Sequence, residues 1–386
     1  MANAVNKFTG LMVKLGALDL RKRIAVTRAI MRDFDEQETK QQGSTIDFTV
    51  PARGTVRDVV PSASNPAPSS DARGYIRQLQ LDQWRESTFG LTDKEKREFQ
   101  TGLALPSIVS ARVGELGDDT AQKILTELFF KSTYRYGTAG TAPKSSTPIV
   151  QARKTLNTNG ALHRGRSLLL SSDWTADLLL TNLFHDAQKT GRFDGLTEGN
   201  LGRKFGFDCA EEPNLSAIAT ITTGTHSGTT QIASASVAIG DTQVACDTGT
   251  GTAKKGEVFT VAGDTEKYVL TEDVADLSGG TLKFFPEAKV AWGDGSVVTW
   301  EESANKTLTC YGLALQEECA GFATRPLEGS ANEEGINLAM STFVDDVSGI
   351  LLRLEIYREY RQMQYAYDIL HGTGVFRPEA MVAIIG

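Results

Sequence analysis

Cysteine and histidine are scarce in this chain. Its 386 residues include four of each: Cys209, Cys246, Cys310 and Cys319, and His163, His185, His226 and His371. The cysteines show no CxxC spacing and form no cluster with histidine, so no zinc site is expected. Long apolar runs are missing too. No stretch of about 18 apolar residues occurs and no signal-peptide h-region stands near residue 1, so no membrane-spanning segment is expected. These absences predict a soluble product of a reducing cytoplasm. Nothing of the form GxGxxG joins a strand to a helix, which argues against a doubly wound nucleotide-binding repeat. One absence is local: no arginine occurs between Arg203 and Arg325, although arginine is common on both sides.

What is present bounds the answer from the other side. At 40% hydrophobic the chain can bury a real core and build two or three compact units. A net charge of -8 excludes a generic nucleic-acid binder. The charge is uneven, however. Over residues 1–32, Lys7, Lys14, Arg21, Lys22, Arg23, Arg28 and Arg32 stand against Asp19 alone. Over residues 301–386 acids outnumber bases and come in adjacent pairs such as Glu317-Glu318 and Asp345-Asp346. A basic arm suits an acidic protein partner or packaged nucleic acid, and equally a solvated amphipathic helix.

Residues 1–42 read as a helical, detachable arm. Residues 43–87 then write two extended strands around a Pro/Ser/Ala tip. On the outgoing strand Ile46, Phe48 and Val50 share one face and Asp47 and Thr49 the other; the returning strand is expected over 75–85. Residues 44–57, fully extended, reach roughly 45 Å. A polar ribbon of that length needs a second surface to lie on, either its own domain or a neighbouring subunit. Thr92-Asp-Lys-Glu95 matches a capping box. The longest helix is expected over 107–134, with Ile124, Leu125, Leu128 and Phe129 as its stripe and Gly114 and Gly117 weakening its middle. Further helices are expected over 148–157 and 174–190, with a buried strand at 167–170 between them.

Inside the arginine-free window, 221–300 is rich in Thr, Gly and Ala. Short strands at 257–261, 267–270, 282–285 and 297–300 are separated by glycine turns, the spacing of a small β-barrel or sandwich. This reads as an inserted all-β module of about 80 residues. Residues 308–324 read as a helix or a strand-to-helix passage. Residues 349–360 alternate as a strand, residues 363–369 continue as another, and His371-Gly-Thr-Gly374 reads as a turn before a final apolar strand.

Several patterns suggest chemistry without completing it. Cys246-Asp-Thr-Gly249 looks like one half of an aspartic-protease pair, but a second such turn is lacking and a Gly-rich β-module makes Asp-Thr-Gly turns by default. Thr248-Gly-Thr-Gly-Thr-Ala-Lys254 misses the phosphate-loop spacing. His163 with Ser171, His185 with Asp186 and His371 with Asp368 come without a nucleophile elbow. The paired acids are more simply solvated than bound to a hard cation. No catalytic residue, cofactor site or metal site is assigned.

The order of parts, with Gly43-Ser-Thr-Ile-Asp-Phe-Thr-Val-Pro-Ala-Arg53, Arg164-Gly-Arg166, Leu201-Gly-Arg-Lys-Phe-Gly-Phe-Asp208 and Tyr367-Asp-Ile-Leu-His-Gly-Thr-Gly-Val-Phe-Arg-Pro-Glu379, resembles the tailed-phage major capsid protein family, in the branch like the coat protein of phage P-twenty-two. The resemblance implies an α+β capsid fold of the Hong Kong phage ninety-seven type. It divides the chain into an N-terminal arm (1–42), an extended hairpin loop (43–87), a peripheral domain with the long helix (88–146) and an axial domain (147–220 and 301–345). An inserted β domain (221–300) and returning C-terminal strands (346–386) complete it. It also implies self-assembly as hexamers and pentamers into an icosahedral shell, procapsid and then mature head, with no enzymatic activity. The implied partners are a scaffolding protein, a portal and packaged double-stranded DNA, in a virion assembled in the host bacterial cytoplasm, with no membrane. On this reading Arg53, Arg57, Arg73, Arg77 and Trp84 of the hairpin meet neighbouring subunits. Lys14, Arg21, Lys22, Arg23 and Arg28 of the arm meet scaffold or DNA. The alternatives are an encapsulin-like bacterial compartment shell, or a β-rich carbohydrate-binding or hydrolytic protein centred on 221–300.

Overall fold

The computed structural model describes residues 24–32, 45–51, 74–95, 104–181, 201–233, 236–325, 337–345 and 348–386, with Lys14, Gly16 and Asp58 besides. β1 (Thr45–Pro51) pairs antiparallel with β2 (Gly74–Gln80) in a two-stranded sheet, Thr45 opposite Gln80 and Pro51 opposite Gly74. The returning strand then breaks. Leu81 and Asp82 leave the ladder, and β3 (Gln83–Thr92) joins a different sheet. The capping box forms as its sequence predicts: Glu95 N–H donates to Thr92 Oγ1 at 3.3 Å, and Thr92 N–H donates to Glu95 Oε2 at 3.0 Å.

The long helix α1 (Ala104–Phe130) starts earlier and stops sooner than its pattern suggests. Val109, Val113, Leu116, Ile124, Leu125, Leu128 and Phe129 are buried at helical spacing, so packing outweighs the cost of Gly114 and Gly117. Its last turn closes on Ser132, whose hydroxyl donates to Phe129 O at 2.7 Å, and the chain becomes β4 (Arg135–Gly137). α2 (Thr147–Thr158) carries Pro148 in its first turn, where the missing N–H costs nothing. β5 (Arg166–Leu170) leads to α3 (Ser172–Leu179), capped by Ser171. The expected extension of α3 to residue 190 passes beyond the described residues after 181. β6 (Arg203–Lys204), β7 (Phe207–Glu211) and β8 (Ile221–Thr222) follow.

The next strands are β9 (Thr230–Ile232), β10 (Ser236–Val237), β11 (Gln243–Asp247), β12 (Val258–Val261), β13 (Tyr268–Leu270), β14 (Thr281–Phe285), β15 (Trp292–Gly293) and β16 (Val297–Trp300). Six of them close a barrel in the order β11-β14-β13-β12-β16-β9. Its core holds Phe259, Tyr268, Phe284 and Trp292, with Tyr268 and Trp292 edge-to-face at 4.9 Å. Asp264 Oδ2 accepts from Tyr268 Oη at 2.7 Å and Trp292 Nε1 at 3.1 Å, which satisfies both polar tips.

β17 (Thr307–Leu308) pairs with β8 and closes the neck of the barrel. After it, 310–325 is strand throughout apart from one short 3-10 turn: β18 (Cys310–Gln316), then β19 (Ala320–Arg325). The strand half of that expectation holds and the helical half does not, because both faces of this segment are buried. β20 (Asn337–Val344), β21 (Leu351–Glu359), β22 (Gln362–Val375) and β23 (Met381–Ile385) complete the described chain. One sheet runs β4-β23-β18-β5-β7-β6; the other runs β19-β22-β21-β20, with β3 also on β22. Leu168 and Leu170 face the cluster beneath α2 and α3, whereas Leu169 faces the cluster of α1, so β5 is buried on both sides.

Candidate assembly surfaces

The hairpin is two-faced. Ile46, Val50 and Leu79 are buried with Leu81, Ala323 and Phe376, and Phe48 stacks on Phe376 at 4.4 Å. The opposite face carries Asp47, Thr49, Gln78 and Ile76, and Ile76 is 67% exposed. Close approach of the hairpin to β22 depends on glycine. A Cβ at Gly372 would stand 2.1 Å from Gln80 O, and one at Gly374 would meet Leu79 Cβ at 3.2 Å. His371-Gly-Thr-Gly374 is therefore not a turn. It lies inside β22, and its glycines make room for the hairpin backbone.

Arg77 corrects another expectation. The alternation of β2 puts it in phase with Leu79 on the inner face, opposite to the exposed face that carries Ile76. Its Nη2 donates to Glu287 Oε1 at 2.8 Å, its Nη1 donates to Phe376 O, and its guanidinium lies 5.2 Å from the Phe285 ring centroid. This charge is engaged within the subunit, joining the hairpin to the barrel and to the end of β22. Trp84 belongs to β3. It is 50% exposed, and its Nε1 donates to Asp368 Oδ2 at 3.0 Å, beside the buried Arg353–Asp368 pair. Arg53, Arg57 and Arg73 lie outside the described residues, as do Arg21, Lys22 and Arg23.

The arm is less detachable than its composition suggests. Ile24, Val26 and Ile30 are buried in the main core, Val26–Arg28 forms a 3-10 turn, and Met31 bridges Gly321. Glu212 fixes the entry, because its Oε2 accepts from Ala25 N at 2.8 Å and Val26 N at 3.1 Å. Burial pushes the Glu212 carboxyl up; the amides of Ala25 and Val26 and the Asn214 side chain pull it the other way. Arg28 is exposed, and Lys14 is helical and exposed.

The barrel docks on the end of α1 and on β4. Arg135 Nη1 donates to Glu302 Oε1 at 2.7 Å and its Nη2 donates to Gly256 O, with both side chains of the ion pair buried. Lys131 lies over Phe285, and Lys255 over Phe130. Glu287 and Glu212 were not singled out by sequence reasoning, Glu302 figured only as one of a pair of adjacent acids, and Gly372 only as part of a turn. Only Gly372 carried a signal, since two glycines inside an apolar strand pattern mark a close backbone approach.

The groups with possible chemistry are dispersed. His371 is buried with neither ring nitrogen hydrogen-bonded among the described residues, and burial, reinforced by Arg85, lowers its pKa to about 4. His163 is exposed, and Ser171 caps α3. Asp247 ends β11 in a barrel turn with Thr248 at φ 57. Glu318 pairs with Arg377 at 3.0 Å, and Asp345 Oδ2 accepts from the Ser348 hydroxyl at 2.6 Å in a turn. His185 and Asp186 lie outside the described residues.

No family model matches the sequence, and no curated protein matches it either. Solved structures do. The structure titled Mycobacterium phage Che8 is similar over 94% of this chain and 91% of that chain, with a TM-score of 0.51 and 13% identity. The capsid structure of the cyanophage P-SCSP1u is similar over 94% and 88%, with a TM-score of 0.48 and 11% identity. A virus-like particle from Pyrococcus furiosus is similar over 97% and 98%, with a TM-score of 0.42 and 8% identity. At such identities the likeness is one of fold alone: the chain shares its mixed helix-and-strand fold with the Che8 phage structure.

Proposed function

We propose that this chain is the major capsid protein of a tailed bacteriophage and assembles into the icosahedral shell around double-stranded DNA. The observation that carries the reading is the extent of the fold likeness, which covers 94% of the chain rather than one domain. The paired strands of the hairpin support it further, since a ribbon with one buried and one open face is suited to lie across a second copy. On this reading the subunits form hexamers and pentamers, and the barrel is an insertion in the axial domain of a P-twenty-two-like coat protein. The basic arm faces scaffolding protein or genome, and a portal occupies one vertex. Arg53, Arg57 and Arg73 at the tip and Trp84 on β3 are contact residues, and any ion pair of the three arginines is worth little alone and is screened by salt. The role is structural, without catalysis.

Negative-stain microscopy of the purified protein, expressed alone and with its genomic neighbours, tests this. Closed shells or polyheads are expected. A uniform monomer in every condition, a scaffold candidate included, overturns the reading and returns attention to the barrel as a binding module.

A further inference from the structure

The barrel joins the rest of the subunit through a narrow neck. β8 and β17 pair with Thr307 opposite Thr222 and Leu308 opposite Ile221. Thr223 extends the ladder: its N–H donates to Lys306 O at 2.8 Å, and its hydroxyl donates to Ser303 O at 2.9 Å. Asn305 N–H donates to Gly224 O at 2.9 Å. Two residues further along the incoming chain, His226 stacks on Trp300 with ring centroids 5.1 Å apart and 24° between planes. Its Nε2 lies 3.3 Å from Glu257 Oε2, and the two side chains are 8% and 1% exposed. Oε1 of Glu257 accepts from Gly224 N–H, and from Lys254 N–H at 2.9 Å. One carboxyl thus touches the incoming chain at two places and the barrel's own turn at a third.

The charges around it do not balance without a proton. Glu302 accepts from Arg135 and, at 3.1 Å, from Val258 N–H, so Arg135 is committed to that carboxylate. The ammonium of Lys254 turns away to Asp273 at 2.8 Å, and Lys267 pairs with Glu301 at the rim. The cluster therefore holds two buried carboxyls, one guanidinium and one imidazole. Neither His226 Nε2 nor Glu257 Oε2 has another hydrogen-bond partner among the described residues. One proton shared between them, beyond the N–H that a neutral imidazole already carries, makes the cluster neutral whether it rides on nitrogen or oxygen; without it, a second buried carboxylate stands uncompensated beside Glu302. A groove of about 420 Å³ lined by His226, Trp300, Glu302 and Ser303 gives that proton a way to solvent.

We infer that His226 and Glu257 hold one proton in common and that it keeps the neck of the barrel closed. Losing it to solvent changes the cluster from neutral to one net negative charge, with no other bond made or broken. The direction of titration agrees. Burial first, then Glu302, pushes the Glu257 carboxyl up to about 7, against the pull of the Gly224 and Lys254 amides and Arg135, and burial pushes His226 down. A carboxyl raised in the closed state favours closure fully below its ordinary value, and that preference is lost as pH rises through about 7.

Amide hydrogen exchange of the full chain, read on peptides covering 222–230 and 300–308 and corrected for intrinsic exchange, tests the inference. Between about pH 6 and 8 the protection of both peptides should fall about tenfold, the change expected as pH passes from about one unit below to about one unit above a closed-state value of about 7. Peptides of β22 and β23 should not follow. Glu257→Gln, which keeps an acceptor and an N–H donor without titrating, should make neck protection independent of pH. His226→Gln, which leaves the carboxyl to hold the proton alone, should move the pH midpoint of the fall; an unmoved midpoint overturns the sharing, so the test stands even if the first variant does not fold. Unchanged protection across that range in the wild-type chain, or the same fall in a folded Glu257→Gln variant, overturns the inference.

Discussion

Glu212 shows how much one side chain can set. It is fully buried, and its carboxylate closes the first two free amides of the 3-10 turn through which the arm enters the core. Asn214 donates to its other oxygen at 3.2 Å and to Asp118 at 3.3 Å, which ties the arm to α1. Glu212→Ala leaves two buried N–H groups unpaired and should cost about 2–4 kcal/mol in denaturant unfolding at neutral pH. Glu212→Gln keeps an acceptor for them and should cost less than about 1 kcal/mol. Because the folded carboxyl is raised, its contribution is fully present below its ordinary range and is lost as pH rises through the raised value. Unfolding curves of the Gln variant should lack that part of the pH dependence; curves parallel to wild type would remove this account. Gly372 makes the same point sterically. A methyl group 2.1 Å from Gln80 O cannot be accommodated without moving the hairpin, so Gly372→Ala should cost about 1–3 kcal/mol and speed proteolysis of β1 and β2.

At the scale of elements, the hairpin is held by two different kinds of contact: an apolar face on Phe376 and β22, and the Arg77–Glu287 pair to the barrel. Removing one member of a buried pair strands the other. Arg77→Ala or Glu287→Ala should each cost about 3 kcal/mol, while Arg77→Met with Glu287→Leu should recover most of it. Additive losses in that double-mutant cycle would mean that the pair is not coupled. This contact also explains where sequence reading succeeded and failed. Alternation at Ile46, Phe48 and Val50 reports burial on the inner face directly, and the barrel strands and capping box follow from local chemistry. The break at Leu81 does not, because residues 74–92 are extended on both sides of it and only the partner strand changes. Nor does the partner of Arg77, which stands 210 positions away in sequence. Residues 371–374 carry the composition of a turn, yet tertiary packing makes them a strand under the hairpin.

At the scale of the whole molecule, the outer face of the hairpin is where a shell would be felt. Ile76 is two-thirds exposed while Leu79, on the same strand but the other face, is fully buried. Within the single subunit Ile76 has Thr49 opposite it in register and solvent above. An aspartate there should shift the unfolding midpoint by no more than about 0.5 kcal/mol, the usual range for a surface change. If this face lies on a second subunit, as the proposed hairpin contact has it, the same aspartate is buried at every such contact. An unpaired charge costs several kcal/mol per contact where it stays ionised, and the contact recurs around each ring and across the shell. Ile76→Asp should therefore leave the monomer intact and abolish closed particles in sedimentation and negative stain. Leu79→Asp is the control for simple misfolding and should unfold the subunit itself. Shells of normal yield and size from Ile76→Asp would place the hairpin's open face on the surface of the particle. The contact between copies would then have to run through the tip or through β3 at Trp84.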